Sequence, residues 1–438
     1  MAKTFRGGVH AEEHKNTERM RTVRMPAPST VCIPLSQHIG APVKPLVAVG
    51  DRVLRGQCIG DLEGALCAPV HSSVSGTVTA FVMKPSARGI PVQHIVIEND
   101  GKDELDPSIA PQERDLAKTT PEEIIEIVRA AGVAGMGGAT FPTHAKIKSA
   151  MGRVDTIIVN GAECEPYITA NHRLMQEHPE AVVGGARVLM HALGLKKAVI
   201  AVEDNKPSVI QIFKGLTWDM DDISLSVLKT KYPQGDERQL IYVITGKELP
   251  AGKLPADVGC VIFNAETVSS VYRAFNTNQP VIERIVTVDG DCVKTPMNLS
   301  VSIGTSFRDV IDFCGGLVKT PRRLISGGPM MGAAQWDVDS VVAKGTSAIL
   351  VFSEEESYSY EHGSCIRCGR CVKGCPMHLM PNYIAAYSRR RDYDSAEFYG
   401  AKSCVECGSC SYVCPAHVPI VQYVRVAKTA LAARQKKD

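Results

Sequence analysis

Eight cysteines near the carboxyl end constrain this chain more than any other feature. They fall in two copies of one spacing, Cys365-Ile-Arg-Cys368-Gly-Arg-Cys371-Val-Lys-Gly-Cys375-Pro376 and Cys404-Val-Glu-Cys407-Gly-Ser-Cys410-Ser-Tyr-Val-Cys414-Pro415. Three closely spaced thiolates can wrap only one side of a four-cornered metal–sulfur core, so each run needs a fourth ligand from elsewhere. A zinc site uses four ligands in two pairs and gives no reason for the third cysteine or for the repeated Cys-Pro. A disulfide framework fits less well still, because no secretory leader is expected at Met1–Arg6 and free thiols belong to a reducing compartment.

The spacing resembles the C-x2-C-x2-C-x3-C-P run of two-cluster bacterial ferredoxins, in which the fourth cysteine of each run serves the other cluster. That resemblance implies two [4Fe-4S] clusters: cluster 1 on Cys365, Cys368, Cys371 and Cys414, and cluster 2 on Cys404, Cys407, Cys410 and Cys375. Helical patterns from Pro381 to Arg390 and from Val418 to Arg434 suit an α-helical ferredoxin-like domain over 351–438. Arg389, Arg390 and Arg391 are expected on a solvated face.

The remaining bounds are broad. A length of 438 residues suggests about two to four domains. The balance of 49 basic against 47 acidic residues gives no reason to expect nucleic acid as a partner. No apolar run approaches the ~20 residues of a membrane span, so no direct span is expected. The seven other cysteines, Cys32, Cys58, Cys67, Cys164, Cys260, Cys292 and Cys314, read as small core residues.

Residues 1–28, opening Phe5-Arg6-Gly7-Gly8-Val9-His10, show neither helical nor strand period and read as an extended arm. His10 and His14 lack the cysteines or carboxylates that would make a metal site, and read as solvated or capping. From 29 to 100 short β-rich runs are broken by glycine and proline. Val49-Gly50-Asp51-Arg52-Val53-Leu54-Arg55-Gly56-Gln57-Cys58-Ile59-Gly60, followed by Val70-His71-Ser72-Ser73-Val74-Ser75-Gly76-Thr77-Val78, resembles the lipoyl/biotinyl barrel-sandwich family. No lysine lies between Ala68 and Val78, so the resemblance implies an unmodified docking or structural module. Residues 101–120 are a charged, proline-punctuated linker.

The segment 121–274 opens with a helix at Pro121 and leads to Gly132-Val133-Ala134-Gly135-Met136-Gly137-Gly138-Ala139-Thr140-Phe141-Pro142-Thr143-His144-Ala145-Lys146. Dense glycines let a backbone approach a ligand and aim several N–H groups at one anion. With Lys146 beside a following helix, the expected guest is a phosphate. After the apolar strand Thr156–Val159 come Asn160-Gly161-Ala162-Glu163-Cys164-Glu165-Pro166-Tyr167, then Gly235-Asp236-Glu237 and Asn264-Ala265-Glu266-Thr267. These four segments, in this order, resemble the flavin-binding, NADH-oxidising subunit of respiratory complex I. The resemblance implies FMN on Gly135, Gly137, Gly138, Lys146, Asn160, Glu163, Asn264 and Thr267, and NAD(H) as substrate against Phe141, Glu165 and Glu237. Met136, Thr140, Ala162 and Phe263 depart from the family pattern.

Residues 275–350 resemble the ubiquitin-like β-grasp domain that follows the flavin domain in that family, with a second glycine-rich loop, Ser326–Gly332, packing near the flavin domain. The whole is thus a multidomain α/β chain: barrel-sandwich hybrid, α/β flavin domain, β-grasp and ferredoxin-like domains. That order, together with the opening Phe5-x-Gly-Gly-Val-His10, resembles the RnfC family of the Rnf electron-transport complex. The resemblance implies a peripheral subunit on the cytoplasmic side of the membrane. There it would partner the other Rnf subunits, including a ferredoxin-like cluster subunit, in ferredoxin:NAD electron transfer coupled to Na+ or H+ movement. No protein acid or base is expected, since flavin performs the hydride step. Two alternatives stay open: a cobalamin reductase of the microcompartment type, whose barrel-sandwich part follows the clusters, and a non-catalytic electron-relay scaffold that does not bind NADH.

Overall fold

The computed structural model describes residues 2–86, 89–356 and 363–435. Four packed units follow one another along the chain.

In the first, strands Thr30–Pro34, Pro91–Asn99, Gly76–Pro85 and Arg52–Val53 pair antiparallel in one sheet, and Lys44–Pro45, Cys58–Asp61 and Val70–His71 in a second. The alternating apolar residues Val31, Ile33, Val53, Ile59, Val78, Ile95 and Ile97 are fully buried in its core. Gly76 has a clear cause: a Cβ there would lie 1.9 Å from the Glu98 carbonyl oxygen.

The second unit is an open parallel sheet in the order Ile223–Leu228, Ala198–Glu203, Thr156–Gly161, Cys260–Asn264. Its first three strands step outward in one direction, and the fourth returns to the other side of the first. Its entry helix Pro121–Ala130 starts with a capping box, Thr120 and Glu123 each satisfying the other's backbone amide.

The third unit is a mixed six-stranded sheet, Val23–Arg24, Met297–Ser302, Glu283–Asp289, Ala348–Phe352, Arg323–Ser326, Ala333–Ala334, with helix Phe307–Phe313 contributing Phe307, Val310 and Ile311 to its core. The fourth consists of short helices around the cysteine runs, with Pro381–Arg389 and Ile420–Gln435 packed through Ile384, Val424, Ala427 and Leu431. Among the described residues no helix is long and apolar enough to cross a membrane.

The amino-terminal segment is extended, as its lack of period suggested, and it is strapped onto the other units. Lys3 bridges to Leu228, Val9 to Tyr232, and Val23–Arg24 adds an edge strand to the third unit's sheet. Phe5, Val9 and Thr17 are buried along it. His14 stacks on Tyr167 with ring centroids 4.8 Å apart. The linker is likewise pinned: Arg52 pairs with Asp100 and Glu104, and Arg114 donates to Phe275 O and Asn278 Oδ1.

One buried lysine joins three units. Lys344 Nζ donates to Pro69 O of the first unit and to Gly132 O of the second, both at 2.6 Å. Its own carbonyl accepts from Arg284, which pairs with Glu266 at 2.9 Å. The first unit is thereby wedged against the flank of the glycine loop, where Ile39 N also donates to Thr140 O.

Candidate functional site

In an open parallel sheet, ligands bind beyond the carboxyl ends of the strands at the point where strand order reverses. Here that point lies between Thr156–Gly161 and Cys260–Asn264, whose ends carry Asn160 and Asn264. The glycine loop closes beside it through Gly135 N donating to Phe141 O at 2.9 Å, with Phe141 half-buried. Met136 N donates to Thr267 Oγ1 at 2.9 Å, anchoring the loop to the helix Ala265–Thr277.

Gly137 and Gly138 are exposed. Gly138 has φ +114°, a conformation L side chains avoid, and no atom lies within 4 Å of where its Cβ would be. Lys146 sits in helix Thr143–Ala150 with its ammonium 5.4 Å from the Phe263 ring centre. It has no hydrogen-bond acceptor or ion-pair partner among the described residues, and burial pulls its pKa down against the opposing charge of Glu237. An unpaired ammonium, bare glycine amides and the strand switch point fit a phosphate group such as that of FMN.

Other residues of the expected set have work within the protein. Asn160 Nδ2 donates to Gly235 O, while its Oδ1 accepts from Ala162 N. Asn264 caps its helix by accepting from Glu266 N. The Glu163 carboxylate accepts from the amides of Asn171 and His172 at the start of helix Ala170–Glu177. Glu237 is exposed at the start of helix Glu237–Thr245. Glu165 is gripped from two sides. Its carboxylate accepts Met330 N at 3.0 Å and Met331 N at 2.9 Å, in the second glycine-rich loop, and burial pushes its pKa up to about 7. Its carbonyl, with those of Glu163 and Ile168, accepts from Lys15 Nζ at 2.6–2.9 Å.

Four of the eight cysteines line a common space. One cavity is lined by Cys375, Cys404, Cys407 and Cys410 together with Leu379, Ile384 and Val424. Burial raises the pKa of the Cys371 thiol. All fifteen cysteines are free thiols. Among the described residues no three His, Cys, Asp or Glu side chains are placed to hold a single metal ion.

The second unit and the amino-terminal strap lean on the cysteine-bearing unit. Tyr232 Oη donates to Cys407 O at 2.6 Å, Gln239 Nε2 to Pro376 O at 3.3 Å, and Gly8 N to Gly374 O at 3.0 Å. Cys365 and Cys368 are exposed.

The Nuo51 FMN-binding domain matches residues 128–273, the RnfC barrel sandwich hybrid domain 3–102, the SLBB domain 285–334 and the 4Fe-4S dicluster domain 357–415. The chain is 44% identical over 99% of its length to the C subunit of the Na(+)-translocating ferredoxin:NAD(+) oxidoreductase complex of Acetobacterium woodii, covering 98% of that protein. It is also 44% identical to the proton-translocating counterpart of Clostridium ljungdahlii, over 100% of this chain and 96% of that one. The chain belongs to the RnfC family, the C subunits of ion-translocating ferredoxin:NAD(+) oxidoreductase complexes. In fold it is similar to a solved chain of an NAD+-reducing [NiFe]-hydrogenase, with a TM-score of 0.50 at 17% identity over 74% of this chain and 67% of that one.

Within this family member, sequence reasoning passed over Lys15, Tyr232, Lys344 and the Met330–Met331 amides. Lys15 sits in a charged run that reads as solvated, and only the folded strap turns it inward. Tyr232 and Met330 carried a signal in their glycine- and proline-rich surroundings, but nothing local says what they touch.

Proposed function

We propose that this chain carries electrons between NAD(H), non-covalently bound FMN and two [4Fe-4S] clusters, as the NADH-linked peripheral subunit of an ion-translocating ferredoxin:NAD oxidoreductase complex. FMN supplies the exchange between the two-electron chemistry of a nicotinamide and the one-electron chemistry of an iron–sulfur cluster. The chain's own residues bind, orient and insulate. Gly137, Gly138 and Lys146 hold the phosphate, while Thr267 fixes the loop that presents those amides and Asn264 caps the helix that carries Thr267. Phe141, Glu165 and Glu237 border the dinucleotide, and Lys15 holds the Glu165 backbone.

The observation that carries this reading is the Tyr232–Cys407 contact, which sets the loop before Glu237 directly on Cys407, a ligand of cluster 2 in this proposal. The order flavin, cluster 2, cluster 1, surface follows from that contact and from the exposure of Cys365 and Cys368. On this reading the chain sits on the cytoplasmic side of the membrane, exchanges electrons with a ferredoxin-like cluster subunit of the complex, and contributes to Na+ or H+ translocation without crossing the bilayer.

A relay scaffold without NADH binding draws support from one observation, the occupation of the Glu165 carboxylate by Met330 and Met331. Anaerobic titration of the flavin-loaded chain with NADH separates the two. Flavin bleaching followed by EPR signals from two interacting clusters is the expected result. Clusters that dithionite reduces and NADH does not would leave the scaffold.

A further inference from the structure

The two cysteine loops are near copies in backbone but opposites in surroundings. Arg367 and Glu406 occupy the same place in the repeat and the same left-handed conformation, at φ +56° and +58°. Gly369 and Gly408 likewise correspond. A Cβ at Gly408 would lie 3.2 Å from Met330 O, whereas one at Gly369 would meet nothing within 4 Å. Among the described residues, this chain's own domains therefore cover the second loop and leave the first bare.

The side chains differ in the same sense. Where the covered loop has Glu406, Ser409 and Tyr412, the bare loop has Arg367, Arg370 and Lys373, all exposed. Glu406 is neutralised by Arg425 at 2.9 Å and by Lys428. The side chains of Arg367, Arg370 and Lys373 have no ion-pair partner among the described residues. Three unpaired cations on a metal-ligand loop attract an opposite surface and repel a basic one.

We propose that the Arg367, Arg370 and Lys373 face is the docking surface for an acidic iron–sulfur electron carrier, which meets cluster 1 as the flavin domain meets cluster 2. The inference rests on the electron path proposed above and names the chemistry of the partner at its outer end. In the transfer, one electron leaves the reduced carrier and one enters the oxidised chain at the Cys365 loop; no bond forms or breaks. The same face serves the reverse direction, because charge complementarity does not depend on which side is reduced.

The repeat itself supplies the test. Arg367→Glu with Arg370→Ser gives the first loop the residues the second already carries in the same backbone conformation, so the fold tolerates them; iron content and flavin content check this. The probe is an acidic two-cluster bacterial ferredoxin carrying a fluorescent label, whose binding to the full holo chain is followed by anisotropy. The expected result is affinity about tenfold weaker for the double variant at low ionic strength, converging with the wild type at high salt. Stopped-flow electron transfer from the reduced probe should slow in parallel, while dithionite reduction stays unchanged.

Equal affinity in wild type and variant, or no binding to the wild type, would overturn the proposal. So would an equal loss on Arg389→Glu with Arg391→Glu, which would mean diffuse charge and not a dock. Sedimentation with phosphatidylglycerol vesicles that the double variant loses, with ferredoxin binding unaltered, would assign the face to lipid instead. Failure of NADH to reduce the wild-type clusters is a separate result, and it would remove the proposed function while leaving the docking measurement readable.

Discussion

Tyr232 donates its phenolic proton to the backbone carbonyl of Cys407 at 2.6 Å, across the boundary between the flavin domain and the cluster domain. The tyrosine is 2% exposed, and burial holds its hydroxyl far above the usual phenol range, so it remains a donor at any working pH. Val9, Cys164, Met330 and Val413 pack around the same contact, excluding water from it.

Tyr232→Phe keeps the ring and removes the bond, leaving the Cys407 carbonyl unpaired in a buried place. The expected cost is about 1–3 kcal/mol. It should appear as a lower urea midpoint for the transition that releases cluster iron, with FMN content unchanged. A midpoint equal to that of the wild type would show that this contact does not hold the two domains together.

The exchanged fourth ligands give a sharp stoichiometric expectation. Cys375→Ala combined with Cys407→Ala strikes one cluster twice, so half of the iron and one EPR signal should remain. If each run instead served its own cluster, the same pair would strip both. Cys371→Ala alone should remove one cluster and leave flavin bound.

Lys146→Ala should weaken FMN binding roughly ten- to hundredfold, the worth of one charge-assisted hydrogen bond of about 1.5–3 kcal/mol. Cluster absorbance should persist, and flavin fluorescence on titration measures the affinity. Because burial lowers the Lys146 pKa in the free protein, FMN binding at alkaline pH should take up a proton. Affinity should then fall as pH rises, and the alanine variant should lose that dependence.

Lys344 offers a pH test of stability. Burial pulls its pKa down to about 7, against about 10.4 for an unperturbed lysine. Between those values the unfolded chain binds the proton and the folded chain does not, so this group makes stability rise with pH across that window. Lys344→Met leaves Pro69 O and Gly132 O unpaired and abolishes the titration. Its deficit relative to wild type, read as urea midpoints at pH 7 and pH 9.5, should therefore widen at the higher pH.

The cysteine runs, the glycine loop and the order of the four units were legible in the chain itself, because each depends on local spacing. Three thiolates two residues apart, or glycines where a backbone must approach a ligand, dictate their chemistry wherever they fold. The helix at Pro121 was equally local, since Thr120 and Glu123 complete its cap within one turn. What surrounds each motif was not local. Glu163 and Glu165 stand two residues apart in a stretch that reads as one ligand-binding cluster. The fold turns the first carboxylate to a helix start and the second to the amides of Met330 and Met331, distant in sequence. Nothing local marks Lys15 or Lys344, and burial against backbone carbonyls from other units makes them joints. Two almost identical cysteine loops likewise became a covered one and a bare one, because only tertiary packing decides which surface its own chain conceals.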